Sequence, residues 1–373
     1  MTLQNKHIER IILSLLLIAN VIFLAYWLML AFNSRLHYDD LHFLWRMKEQ
    51  SIFEYVREMY MTRSGRFIGY LSNAIHSKLI ILTGKQWFIP IAYYAIGVAM
   101  CWACVADRFK SISRGFLFLS ILFVYNLYIL TNIDFPVFTW ICATSYYILG
   151  PSLCLLIHYL NKPQLSPFQW LIFSLLVLFI GGGNEAFTPM VLLVMFVNGM
   201  FLWKSYGWNI KQAWSDHRIQ RIVFTALVLF CLFVIAVAAP GNYSRLEEVR
   251  TETEFAHTSG IIPFITGICK AIATYLYFMA FYIPYYLVAG ILGFYCGTKN
   301  SSKIVSNSKK AVGILIAAYC IYTIISVVPT VYIYSGFGIQ RTYTHNVFFL
   351  VALFVAIGYV LEMERSGIIP RLS

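Results

Sequence analysis

The chain has 373 residues, 60% of them hydrophobic and 17% aromatic against 12% charged, with a mean hydropathy of +0.71 and a net charge of +12. That balance excludes an ordinary soluble protein: spans of roughly 20 residues each leave room for a single transmembrane domain over 1–373 and for no large soluble one. The basic excess sits in short loops beside apolar segments, a distribution that argues against nucleic acid and for a lipid bilayer.

Hydropathy predicts an all-α polytopic membrane fold of about ten spans, range nine to twelve. They lie at roughly 8–32, 87–106, 115–131, 145–160, 168–182, 187–203, 221–239, 277–297, 311–333 and 342–361. The stretches 66–83 and 261–276 are apolar but carry His76, Lys78 and Lys270, so they are read as interfacial or re-entrant. Lys6 and Arg10 precede the first span, and no small-residue cleavage site follows it, which predicts an uncleaved signal anchor.

Residues 33–86 form the longest stretch between spans. It opens with Asp39-Asp40 and continues with apolar and charged residues alternating at helical spacing, as expected of amphipathic helices lying on the membrane surface. The acidic pair has two readings. It could cap a helix beginning at Leu41, since Asp is a favoured N-cap, or it could supply a general base, one carboxylate holding its neighbour or a divalent cation. Arg63-Ser64-Gly65-Arg66 follows, with two guanidiniums three residues apart. Such a pair suits a phosphate, because Arg donates to phosphoryl oxygens in a fork; contact with lipid headgroups is the alternative.

Further along, Cys101 and Cys104 lie within an apolar span and read as buried hydrophobes, not as a metal site. Asp134 and the Tyr146-Tyr147 pair stand at span ends where they could line a cavity. Gly181-Gly182-Gly183-Asn184-Glu185 places an acid within apolar sequence, which marks Asn184 and Glu185 as site candidates. Pro240-Gly241-Asn242 makes a turn after the 221–239 span and presents Asn242 and Arg245. Arg341 and His345 precede or open the last span, Arg341 as a headgroup anchor or a third phosphate contact.

Loop charge orients these features. On the ten-span topology the segments facing the cytoplasm hold 16 of the 28 Lys and Arg but five of the 16 acidic residues, so they carry +11 of the total +12. Both termini are then cytoplasmic, and every candidate named above lies on the outer face. No phosphate-loop, dinucleotide, zincin or hydrolase signature is present.

An acidic pair opening the first outer loop, Gly65-Arg66-Phe67, Asn184-Glu185 after a glycine run, and Pro240-Gly241-Asn242 with Arg245 together resemble the GT-C superfamily, in particular its bacterial branch associated with surface polysaccharides. The likeness covers the layout of the whole chain; each motif is weak alone, and their order and shared sidedness carry it. The resemblance implies a multi-pass glycosyltransferase of the bacterial cytoplasmic (inner) membrane. It would move a sugar, commonly with inversion, from a polyprenyl-phosphate donor to a glycan or lipid-linked acceptor on the outer face, in surface polysaccharide assembly. It makes Asp39 or Asp40 the base and Arg63, Arg66, Arg245 and Arg341 the donor-phosphate contacts, with Asn184, Glu185, Asn242, His345 and Tyr146 around the cavity or acceptor. It implies no definite cofactor, and a divalent cation held by the aspartates is left open. A flippase or transporter for lipid-linked sugars, or a polysaccharide polymerase or ligase, are the competing readings. No internal repeat of the kind many transporters show is visible.

Overall fold

The computed structural model describes residues 3–107, 109–132, 141–184, 187–244, 261–299, 308–334 and 343–368. Among them every regular element is helical. Seven helices are long and apolar enough to cross a membrane: Glu9–Phe32, Phe88–Val105, Thr188–Ser205, His217–Val237, Ile261–Ala280, Lys309–Val328 and Thr344–Glu362. Three shorter apolar helices, Arg114–Leu130, Pro167–Gly183 and Ile283–Thr298, lie between them. This is the architecture of a multi-pass membrane protein.

Helix α1 (Leu3–Phe32) shows how the bundle is built. Leu16, Asn20, Phe23, Trp27 and Ala31 recur at helical spacing and are buried, while Leu15, Leu17, Ile18, Val21 and Ile22 are exposed. A soluble helix would not leave that outer face apolar; a helix solvated by lipid must. The one polar member of the buried stripe is fully partnered. Asn20 donates to the Leu119 carbonyl at 3.0 Å and accepts from Asn126 Nδ2 at 2.8 Å. Asn126 in turn accepts from the Tyr94 hydroxyl. Such interhelical bonds are worth about 0.6–2 kcal/mol each in a bilayer.

Next come α2 (Tyr38–Glu49), α3 (Ile52–Thr62) and α4 (Phe67–Thr83). The expected amphipathic helices are thus present, and their apolar faces close on one another: Met47, Tyr55, Met59, Tyr70 and Ala74 form a separate small core. Ser51 caps α3 reciprocally with Glu54, and Glu58 of α3 accepts from Arg46 of α2 and from Gln50, which follows it, at 2.7 and 2.6 Å. Lys78, which marked the 66–83 stretch as interfacial, donates to the Met47 carbonyl and so ties α4 to the end of α2.

The bundle continues with α5 (Phe88–Val105), α6 (Arg114–Leu130), a 3-10 helix (Ile141–Ile148), α7 (Leu149–Asn161), α8 (Pro167–Gly183), α9 (Thr188–Ser205), the short α10 (Ile210–Trp214) and α11 (His217–Val237). It closes with α12 (Ile261–Ala280), α13 (Ile283–Lys299), α14 (Ser308–Tyr334) and α15 (Thr344–Ile368). Two expected boundaries move. The 145–160 span opens as a 3-10 helix and is α-helical only from Leu149. The break expected between 276 and 277 falls at Phe281–Tyr282, because Pro284 cannot continue the helix before it and instead occupies the first turn of the next. Lys270 lies on the exposed side of α12, opposite the buried stripe Gly267, Ala271, Tyr275 and Met279, and does not interrupt the helix.

Two charges at the other end of the bundle serve the fold. Arg221 is buried and donates to the Tyr159 and Lys162 carbonyls at 2.6 and 2.9 Å, closing the C-terminal end of α7, with its guanidinium over the Trp170 ring at 5.3 Å. Asp216 caps α11. Burial alone would raise its carboxyl, but bonds from the Arg218 side chain, the Tyr206 hydroxyl and the Arg218 backbone N–H outweigh that and hold it at about 2. A carboxyl depressed in the folded state contributes stability that is full above its unfolded value, about 3.9, and is lost as pH falls toward 2. Thermal unfolding in detergent of the wild type and Asp216→Asn should therefore differ at pH 5, with the difference shrinking steadily between pH 4 and pH 2.

Candidate functional site

Where the α2–α4 layer meets the bundle it leaves a cavity of about 400 Å³. Helix α2 contributes Tyr38, Asp39, His42 and Phe43; Met59 and Arg63 come from the end of α3, and Arg66, Gly69, Tyr70 and Asn73 from the start of α4. The bundle supplies the opposite wall through Ala143 and Ser145 of the 3-10 helix, Leu149 of α7, and Phe179, Gly183 and Asn184 of α8. Four candidates read from the sequence, Asp39, Arg63, Arg66 and Asn184, thus share one space although they lie up to 145 residues apart.

The acidic pair divides its labour. Asp40 is 3% exposed, sits in the first turn of α2, and accepts from the His37 backbone N–H at 3.0 Å, half of a reciprocal cap. It does not line the cavity; it caps, but from the third helical position, since the helix begins at Tyr38 with His37 as its N-cap and not at Leu41. Asp39, one position earlier, faces the cavity, and its carboxylate accepts no hydrogen bond among the described residues. Helical geometry makes the split unavoidable, since neighbouring residues project about 100° apart and cannot share a face.

The Arg63–Arg66 loop is held from behind. A Cβ added at Gly65 would coincide with the backbone of Ala236, and one at Gly241 would collide with the backbone nitrogens of Arg63 and Ser64. Only glycine at both positions lets the two strands of backbone meet. Asn242 then locks them: its Oδ1 accepts from the Gly65 N–H at 3.1 Å, and its Nδ2 donates to the carbonyls of Ala236 and Val237 at 2.7 and 3.1 Å. The Tyr60 hydroxyl adds a bond to the Ile235 carbonyl at 2.8 Å. The Pro240-Gly241-Asn242 turn was expected at the cavity; it stands behind it, and Asn242 positions the arginine loop instead of lining the space.

The glycine run has a similar explanation. Gly182 lies against the Phe67 and Ile68 side chains, and a Cβ at Gly69 would approach the Gly183 carbonyl to 3.2 Å, so α4 and α8 cross with almost nothing between them. That crossing brings Arg66 and Asn184 to the same cavity from its two sides. Asn184 ends α8, and its carbonyl accepts from the Phe187 and Thr188 backbone N–H groups and from the Thr188 hydroxyl, which turns the chain into α9.

His345 is not at the cavity. It occupies the first turn of α15, 3% exposed, its ring 5.1 Å from Phe187 and 5.7 Å from Tyr322, with neither ring nitrogen hydrogen-bonded among the described residues. It is buried because α15 begins at Thr344 and faces the bundle from its first turn. Asp134, Glu185, Arg245 and Arg341 lie outside the described residues. So does the Tyr146 side chain, although its neighbours Ala143 and Ser145 line the cavity and Tyr147 is buried in the core.

Sequence reasoning missed His42, Asn73 and Ser145. Two of these carried a signal: His42 lies one turn after Asp39, and Asn73 continues the Arg66–Gly69–Asn73 stripe along one face of α4. The surroundings of His42 lower its pKa below the usual 6.5. Burial is the main cause, the guanidiniums of Arg46 and Arg63 add to it, and Asp39 and Glu58 oppose it. The cavity thus sets an imidazole that is uncharged at neutral pH beside Asp39, Arg63 and Arg66. Among the described residues no three His, Cys, Asp or Glu side chains gather closely enough to hold a metal ion. Comparisons of the chain with protein-family models, with curated proteins and with solved structures return no match.

Proposed function

We propose that this protein is a membrane glycosyltransferase of the GT-C type, moving a sugar from a polyprenyl-phosphate donor to a glycan or lipid-linked acceptor. The observation that carries this reading is the single cavity in which Asp39 faces Arg63, Arg66 and Asn184 at the junction of an amphipathic layer and an apolar bundle. A polyprenyl-phosphate sugar keeps its tail in the bilayer and its reactive carbon at the interface. Its enzyme needs cations for the departing phosphate and a group that takes charge of the acceptor's proton, side by side at that depth. In this reading the chain makes about ten spans, the cavity opens on the outer face of the bacterial cytoplasmic membrane, and both termini are inside. The loop charges support that orientation.

The test is turnover by purified full-length protein, supplied with a panel of undecaprenyl-phosphate sugars and isolated surface glycans. Product should form with at least one donor. Arg63→Ala and Arg66→Ala should each lower kcat/KM for that donor by roughly 10- to 100-fold, as expected for charge-assisted bonds worth about 1.5–3 kcal/mol. Absence of turnover with every donor, or arginine variants that behave as wild type, would overturn the assignment.

A further inference from the structure

We infer that the proton of the attacking hydroxyl passes to His42, and that Asp39 is the positioning residue that stabilises the imidazolium so formed. The inference rests on the glycosyl-transfer reading and deepens it. Asp39 and His42 are three apart on α2 and both line the cavity, so their Cβ atoms lie about 5–6 Å apart on one face. Neither side chain hydrogen-bonds to any described residue, so both are available to a substrate and to each other. The titratable groups facing the ring come from two helices and the loop between α3 and α4: Asp39 and Arg46 on α2, Glu58 on α3, and Arg63. With burial, the two guanidiniums keep the resting ring neutral, which leaves a lone pair to accept a proton. Asp39 acts in the opposite sense, favouring the charged ring once it forms.

That division is the logic of a base oriented and charge-compensated by a carboxylate. The acceptor oxygen bonds to the sugar's anomeric carbon as the bond from that carbon to the phosphate oxygen breaks, and the electron pair leaves with the phosphate. The hydroxyl proton moves to the imidazole. The polyprenyl phosphate departs with one more negative charge than it held as a diester, facing Arg63 and Arg66, and the imidazolium returns its proton to solvent.

Two experiments test this separately. The first needs no turnover: diethyl pyrocarbonate acylates the neutral imidazole, so the acylation rate of His42 in the intact protein, followed by peptide mass spectrometry across pH, reports its protonation. The midpoint should lie below 6.5 in the wild type and fall further in Asp39→Asn, with the buried His345 unreactive throughout as an internal control. A midpoint at or above 6.5, or one that Asp39→Asn leaves unmoved, overturns the pairing. The second is the pH profile of transfer from whichever undecaprenyl-phosphate sugar the wild type uses. His42→Gln should lower kcat by about 100-fold or more and remove the acidic limb of the profile, with thermal unfolding unchanged. Turnover within threefold of wild type overturns the proton step. Wild-type protein that shows the coupled titration but transfers no sugar counts against the glycosyl-transfer reading and leaves the Asp39–His42 pair standing.

Discussion

Asp39→Asn should lower sugar transfer by roughly 10²- to 10⁴-fold while leaving the protein folded, and Asp40→Ala should do the reverse. The range for Asp39 is that of a positioned proton-handling group, and it corresponds to about 2.7–5.4 kcal/mol of transition-state stabilisation. Its carboxylate faces the cavity and serves no cap, so the isosteric amide removes charge without removing a structural bond. Asp40 faces the other way. Truncating it deprives the His37 N–H of its acceptor at the start of α2, which should cost about 1 kcal/mol of stability. Transfer would then stay within a few-fold of wild type. Initial rates at saturating and limiting donor, read beside thermal unfolding of both variants, check the contrast. Asp40→Ala as the inactive, stable variant would reverse the assignment within the pair.

Gly65→Val is the second large effect, and it acts at a distance from any reacting atom. The space beyond the Gly65 Cα is already occupied by the backbone of Ala236, and backbone cannot rotate aside as a flexible side chain can. The Arg63–Arg66 loop must therefore leave its seat on the α11 terminus, breaking the Gly65–Asn242 bond and moving both guanidiniums away from the cavity wall. Overpacking of this kind costs about 1–3 kcal/mol, and the lost bond adds about 1 kcal/mol. Catalysis should suffer more than stability: with both phosphate contacts displaced, kcat/KM for the donor should fall by at least about 100-fold, at or beyond the loss from either arginine alone. Gly241→Ala strikes the same seam from the other side, against the nitrogens of Arg63 and Ser64. Because the two glycines guard one contact, the double variant should lose much less than the sum of the single losses, which a double-mutant cycle would measure.

Both predictions turn on features whose residues were visible in the sequence but whose roles were not. Asp39-Asp40 reads equally as a cap or as a base while the chain is a string of letters; the register of α2 then sends one carboxylate to each task. Gly181-Gly182-Gly183 reads as the end of a span that places an acid within apolar sequence. Folded, it is the surface on which α4 and α8 touch, and its contribution to the cavity is to bring Arg66 within reach of Asn184. Pro240-Gly241-Asn242 reads as a turn that presents side chains, whereas it is the seat of the arginine loop. His42 passed unmarked because a lone histidine on an amphipathic helix is an ordinary residue; what distinguishes it is the company of Arg46, Arg63 and Asp39, and Arg63 reaches it only through tertiary contact.

The sequence by itself determined the solvent. Composition and hydropathy make a multi-pass helical membrane protein unavoidable, and the amphipathic stretch after the first span had to find an interface, since both follow from the local cost of placing side chains in lipid or water. Only the tertiary structure decided which polar residues meet. Their convergence depends on close helix crossings at glycine, on a single half-buried asparagine, Asn242, bridging two turns, and on helical register, and none of these leaves a periodic trace along the chain. The transfer energies that sort residues between lipid and water act on each residue separately; a binding site is a property of pairs.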